Sequence, residues 1–124
     1  MKIILVVDDE FGIADTLSSI LVDEGYRVIA AVNGEQGLAR VGEAQPDLVI
    51  VDYMMPIKSG PEMIRAMRAV AAYAAIPVIM MSAVPEATVR RECDFTAFLR
   101  KPFTLDKLLH AVTGLIGRPA DSGG

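Results

Sequence analysis

The sequence predicts an α/β protein: a five-stranded parallel sheet, doubly wound, with helices on both faces. Short continuous apolar runs, Ile3 to Val7, Leu48 to Val51 and Pro77 to Met81, read as strands buried on both faces. Between them lie stretches whose apolar residues recur at three-and-four spacing, the signature of helices with one buried stripe. Strand and helix alternate along the chain, and in one sheet that alternation requires right-handed crossovers with helices on either side.

Each element follows in order. Ile3 to Val7 forms the first strand and stops on Asp8-Asp9-Glu10. Phe11, Ala14, Leu17, Ile20 and Leu21 then trace the inward face of a helix that ends near Gly25. Tyr26 to Ala31 is short and β-rich, a strand toward the sheet's edge. Asn33 offers a helix N-cap with Gln36 three residues on as its capping-box partner, for a helix reaching about Ala44. Leu48 to Asp52 is the third strand, closed by Pro56, which cannot continue a ladder.

Ser59-Gly60-Pro61-Glu62 is a second capping box, so the third helix carries Met63, Ile64, Met67 and Val70 against the sheet. Pro77 to Met81, ending at Ser82, is the fourth strand, and Thr96 to Leu99 a short fifth. Between them, Pro85 and weak periodicity over Val84 to Asp94 predict a fourth helix that is truncated, or missing and replaced by a mobile loop. Thr104 caps a last helix with Leu105, Leu108, Leu109, Val112, Leu115 and Ile116 inward, stopped by Gly117. The architecture is of the flavodoxin-like kind, strand order 2-1-3-4-5, with one domain over residues 1–117 and a flexible tail over 118–124.

Composition narrows the function. Sixteen acids against twelve bases give a net charge of -4, which repels a phosphate backbone, so direct nucleic-acid binding is not expected. Cys93 is the single cysteine, which rules out an internal disulfide and a thiolate metal cage and suits a reducing cytoplasm. No stretch reaches the roughly 18 apolar residues of a membrane span.

In an open parallel sheet, ligands bind outside the carboxyl ends of the strands. Asp52 alone could be a mere loop cap there, and Asp8 and Asp9 could be helix-capping acids. Yet this fold puts Asp8, Asp9, Asp52, Ser82 and Lys101 on one edge. Carboxylates crowded into one crevice repel unless a cation joins them, and hard oxygen ligands suit Mg²⁺, which also takes phosphate oxygens. A lysine and a hydroxyl facing the same crevice would meet the remaining oxygens of a phosphoryl group. That set supports attack of a carboxylate on phosphorus to form an acyl phosphate.

Four segments in order, Val-Val-Asp8-Asp9-Glu10, Val-Asp52-Tyr-Met-Met-Pro56 with Gly60, Ile-Met-Met-Ser82-Ala83 and Phe98-Leu-Arg-Lys101-Pro102-Phe103, resemble a response-regulator receiver domain, the CheY-like module of two-component signalling. The resemblance covers essentially the whole chain. It implies Asp52 as phosphoacceptor, and Asp9, Asp52 and the main-chain carbonyl of Met54 as metal ligands, with Asp8 assisting or holding metal-bound water. It implies Ser82 and Lys101 on the phosphoryl group, a cis Lys101-Pro102 peptide, and Phe98 at the aromatic switch position, here without a phenolic hydroxyl. A sensor histidine kinase or histidine phosphotransfer protein would be the donor, and an unknown downstream protein the target of a stand-alone cytoplasmic regulator. Catalysis would extend only to the protein's own phosphorylation and dephosphorylation.

Competing readings are an aspartyl-phosphate phosphohydrolase, which usually wants an acid where Met54 stands, and a receiver-shaped module that is never phosphorylated. A flavin or nucleotide binder on this fold lacks its glycine-rich loop, since Val7-Asp8-Asp9-Glu10-Phe11-Gly12 is not one.

Overall fold

The computed structural model describes residues 1–119. Its elements are β1 (Ile3–Val7), α1 (Phe11–Asp23), β2 (Arg27–Ala31), α2 (Gly34–Ala44), β3 (Leu48–Asp52), α3 (Gly60–Arg68), β4 (Val78–Ser82), α4 (Glu86–Arg90), β5 (Ala97–Arg100) and α5 (Leu105–Ile116). The five strands form one sheet in the order β2-β1-β3-β4-β5, as the sequence predicts. Every pairing is parallel.

Because successive side chains point to opposite faces, the apolar runs of the central strands feed two cores at once. Leu5, Val7, Val49, Val51, Val78 and Met80 pack with Val41, Met63, Ile64, Met67 and Val89, beneath α2, α3 and α4. Ile4, Val6, Leu48, Ile50, Ile79 and Met81 pack with Ala14, Leu17, Leu21, Leu108 and Val112, beneath α1 and α5. All five residues of β3, and all five of β4, are buried. The paired registers bring Asp52 beside Met81 and Ser82 beside Arg100, so the strand ends share one edge.

The local signals act as their chemistry dictates, with corrections at four residues. Ser59 and Glu62 form the reciprocal capping box, and Thr104 caps α5 by accepting from the Lys107 amide. Asn33 caps α2 by accepting from the Gln36 amide, but the Gln36 side chain reaches past it to the amide of Val32 at 2.8 Å. Phe11, Val70 and Leu105, which helical spacing turns inward, are instead exposed to 78%, 41% and 50%. Each stands at a helix end or within two residues of one, at the margin of the buried stripe.

The fourth helix forms but is only five residues long, so the predicted truncation holds and the alternative of a loop does not. Pro85 precedes it and Val89 is its single buried residue. The segment is held by Arg90, whose guanidinium lies 4.1 Å from the Phe95 ring centroid, and by α3: Arg65 donates to the Glu92 carbonyl at 2.6 Å and Arg68 to that of Asp94 at 3.0 Å. Of the predicted tail, residues 120–124 lie outside the described residues. The carbonyl of Arg118 accepts a hydrogen bond from Lys2 Nζ at 3.1 Å.

Candidate functional site

β1 delivers two acids to its carboxyl end. Asp8 is wholly buried, with its amide donating to the Ala31 carbonyl at 3.1 Å and its Oδ1 accepting from the Glu10 amide at 2.9 Å. Its other oxygen, Oδ2, is buried and has no hydrogen-bond partner. Asp9, next in the chain, points to solvent. Burial, helped by the charges of Asp52 and Asp9 and opposed by the Glu10 amide and Lys101, pushes the Asp8 carboxyl up to about 6.

Asp52 closes β3 and is 7% exposed. Its backbone is fixed from behind by α3: Gly60 donates to the Tyr53 carbonyl at 3.0 Å, and a Cβ on Gly60 would stand 2.4 Å from the Asp52 carbonyl oxygen. Only glycine allows the helix to start that close. Tyr53 ties the same stretch to β4 through its amide and the Met81 carbonyl at 2.9 Å, while its hydroxyl donates to the Glu92 carboxylate beyond α4.

Ser82 ends β4, almost wholly buried, and its Oγ accepts from the Val84 amide at 2.9 Å, leaving the hydroxyl proton free to be donated. The Ser82 carbonyl accepts from the Lys101 amide at 2.8 Å, which anchors the turn after β5, and the Lys101-Pro102 peptide is cis. Lys101 Nζ then lies 2.7 Å from Asp52 Oδ1 and 3.9 Å from Asp8 Oδ2. Burial works against its charge, but the hydrogen bond to Asp52 and the negative charges of Asp52, Asp8 and Glu10 outweigh burial and hold it above the usual lysine range.

The structure thus brings Asp8, Asp9, Asp52 and Lys101 together. One oxygen from each of the three acids lies within 4.8 Å of the others. A buried carboxylate oxygen with no donor is costly unless a cation meets it, so the donor set fits a hard divalent ion. Phe98 lies back from the edge, near the start of β5, half-buried against the first core, with its ring 5.6 Å from that of Phe95. The Met54 side chain is 68% exposed.

Two site features escape the sequence reading. The steric role of Gly60 was within reach, since a glycine eight residues after a strand-ending acid marks a close approach of backbone. Ile57 was not: it adopts φ 70°, a conformation that β-branched residues avoid, at the centre of a turn closed by Lys58 donating to the Pro56 carbonyl at 2.7 Å.

Comparison with known proteins agrees with this geometry. The family described as "Response regulator receiver domain" matches residues 4–113. Sporulation initiation phosphotransferase F of Bacillus subtilis is 35% identical over 112 residues, covering 88% of this chain and 89% of that protein. The chain spans about half the length of the other curated relatives it matches, such as the mycobacterial DNA-binding response regulator MtrA (52%). The chemotaxis protein CheY4 of Vibrio cholerae superposes with a TM-score of 0.87 at 31% identity, over 93% of this chain and 98% of that one. The receiver domain of the Pseudomonas aeruginosa sensor histidine kinase PA1611, solved with magnesium coordinated in its active-site cleft, gives 0.86 at 25% identity over 94% and 98%. Strand order, acidic edge and family match converge, and the chain belongs to the response-regulator receiver domains.

Proposed function

We propose that residues 1–117 work as a phosphorylation-switched receiver whose phosphoacceptor is Asp52 and whose cofactor is Mg²⁺. The observation that carries this reading is the buried Asp8 Oδ2, which accepts no hydrogen bond, in a three-carboxylate cluster beside a lysine already bonded to Asp52. Asp8, Asp9 and Asp52, with the main-chain carbonyl of Met54, would hold the ion, which when bound neutralises the carboxylates and the incoming phosphoryl oxygens.

The chain's own groups do the rest. An Asp52 oxygen attacks phosphorus as the bond to the donor's imidazole nitrogen breaks, and the nitrogen keeps the electron pair. Lys101, held charged, neutralises the oxygens of the new acyl phosphate, and the free Ser82 proton is available to another of them. The donor class is a phosphohistidine on a sensor kinase or phosphotransfer protein, and the output is binding to a downstream protein or onward transfer. A relative named a phosphotransferase, covered over most of its length, favours relay. Cytoplasmic placement fits, as no helix among the described residues is long and apolar enough to cross a membrane. Phe98 and Ser82 form the proposed switch pair.

The test is incubation with phosphoramidate and Mg²⁺ followed by intact mass measurement. Wild type should gain one phosphoryl group and Asp52→Ala none. Equal labelling of both would contradict the assignment.

A further inference from the structure

β2 is an outer strand of the sheet, and its free side is open. The Arg27 amide donates to the Lys2 carbonyl at 3.0 Å and the Ala31 carbonyl accepts from the Asp8 amide at 3.1 Å, so by the alternation of a parallel ladder Val28 and Ala30 turn their N–H and C=O groups outward. The next donor along, the Val32 amide, is already taken by Gln36. Natural sheets blunt such a strand with charge, proline, a bulge or a covering element. From Val28 to Ala31 there is no charge and no proline, and the register to β1 runs without a bulge.

α1 forms the flank of that strand. It starts just after β1 and ends just before β2, so it runs back along β2 with Phe11 by the strand's carboxyl end and Val22 by its start. Phe11, Asp15, Ser18 and Val22 recur at four, three and four residues and so share one stripe of the helix, and the first three line a groove of about 300 Å³ together with Val28, Ala30 and Val32. The stripe is apolar at both ends, where Phe11 is 78% and Val22 54% exposed. Its middle is polar: Asp15 is exposed, and Ser18 Oγ is closed off from water with no hydrogen-bond partner among the described residues.

A surface of this pattern is its own complement under a half-turn. We infer that β2 pairs antiparallel with β2 of a second copy of this chain, about a two-fold axis that passes Ile29 perpendicular to the sheet, so that two five-stranded sheets become one. Val28 of each copy exchanges N–H and C=O with Ala30 of the other, and the small Ala30 side chain leaves room for Val28 beside it. Ile29 meets its own counterpart on the α2 side, where it packs in the single copy. On the α1 side the axis falls between Asp15 and Ser18. Phe11 of each copy therefore reaches Val22 of the other, and the Ser18 hydroxyl turns into the groove to donate to the opposite Asp15 carboxylate. Charge agrees: Arg27, in no ion pair among the described residues, is carried to the carboxyl end of the opposite β2, where Glu35 stands exposed in the first turn of α2. An unrelated extended segment would pair with the strand but leave Ser18 and the apolar ends of the stripe uncovered. The two acidic notches open at opposite ends of the joined sheet, so the contact does not depend on the phosphoacceptor reading.

Sedimentation velocity on the full chain, from micromolar to millimolar protein, is the test. Wild type should pass from monomer to dimer within that range, and amide exchange at Val28 and Ala30, followed by NMR, should slow by roughly tenfold or more as the dimer forms. Ala30→Pro removes an outward N–H without touching the ladder to β1, and Ala30→Lys sets a charge beside the axis; each should weaken the dimer by roughly a hundredfold with the circular dichroism of the fold retained. Ser18→Ala should weaken it by roughly tenfold and leave the monomer melting no lower than wild type, since the hydroxyl has nothing to bond in one copy. A wild type that stays monomeric at millimolar concentration would overturn the inference. So would a dimer that folded Ala30 variants retain, or one whose Val28 and Ala30 amides exchange as fast as in the monomer, a measurement on wild type that decides the matter even where a variant does not fold.

Discussion

At the amino-terminal edge of the sheet, Asp47 accepts the Ile3 amide at 2.7 Å and returns its own amide to the Ile3 carbonyl at 2.8 Å. There too Lys2 donates to the Ile116 and Arg118 carbonyls, and the Tyr26 hydroxyl to that of Gly117 at 2.7 Å. At the carboxyl edge, some five residues away along each strand, three carboxylates converge and Asp8 Oδ2 is left with no donor. The same sheet thus closes one edge with its own chain and leaves the other short of positive charge. Among the described residues the buried side-chain atoms without a hydrogen-bond partner are Asp8 Oδ2 and the Ser18 hydroxyl on α1, and of the two it is the carboxylate oxygen, set among other acids, that calls for a cation.

That contrast can be broken in three ways, from the largest effect down. Lys101→Met removes the one cation already in the notch, and labelling by phosphoramidate should slow by roughly 10²–10³-fold with the fold retained. An unchanged rate in stopped-flow or time-resolved mass measurements would show that Lys101 does not meet the phosphoryl group.

The second is pH. The Asp8 carboxyl is raised to about 6 in the folded chain from 3.8, so the fold binds that proton more tightly than the unfolded chain does. Its burial is harmless below 3.8, where both states are protonated; the penalty grows as pH climbs from 3.8 to about 6 and is complete above that, worth on the order of 3 kcal/mol. Without metal, stability should therefore fall between about pH 4 and about pH 7. Mg²⁺ should raise the melting temperature clearly at about pH 7.5 and little at about pH 5, where the site is still partly protonated. Calorimetry showing the same Mg²⁺ shift at both would detach Asp8 from the ion.

The third acts on the closed edge. Asp47→Ala should cost about 1 kcal/mol, a few degrees of melting temperature, and leave the labelling rate untouched. A slowed rate would mean that the two edges are coupled.

The sequence shows the sheet because its strands are buried on both faces: runs such as Leu48 to Val51 leave no other reading, and their terminal acids fall on one edge by topology. Helix ends were less legible. A periodic stripe says which side of a helix faces inward but not where the sheet beneath it stops; a 13-residue α1 runs about 20 Å against about 17 Å for a five-residue strand. Phe11 and Leu105, counted as core by spacing, are for that reason exposed groups at the site's edge. Ile57 runs against its own backbone preference, and a residue whose local tendency is overruled cannot be read from propensity.

The central claim is that the acidic edge is a cation site, and diffraction from crystals grown with Mn²⁺ tests it most directly. The account predicts one strong anomalous peak between the carboxylates of Asp9 and Asp52, beside Asp8. Density with no peak there, or with manganese bound elsewhere while the three acids stand free, would contradict it.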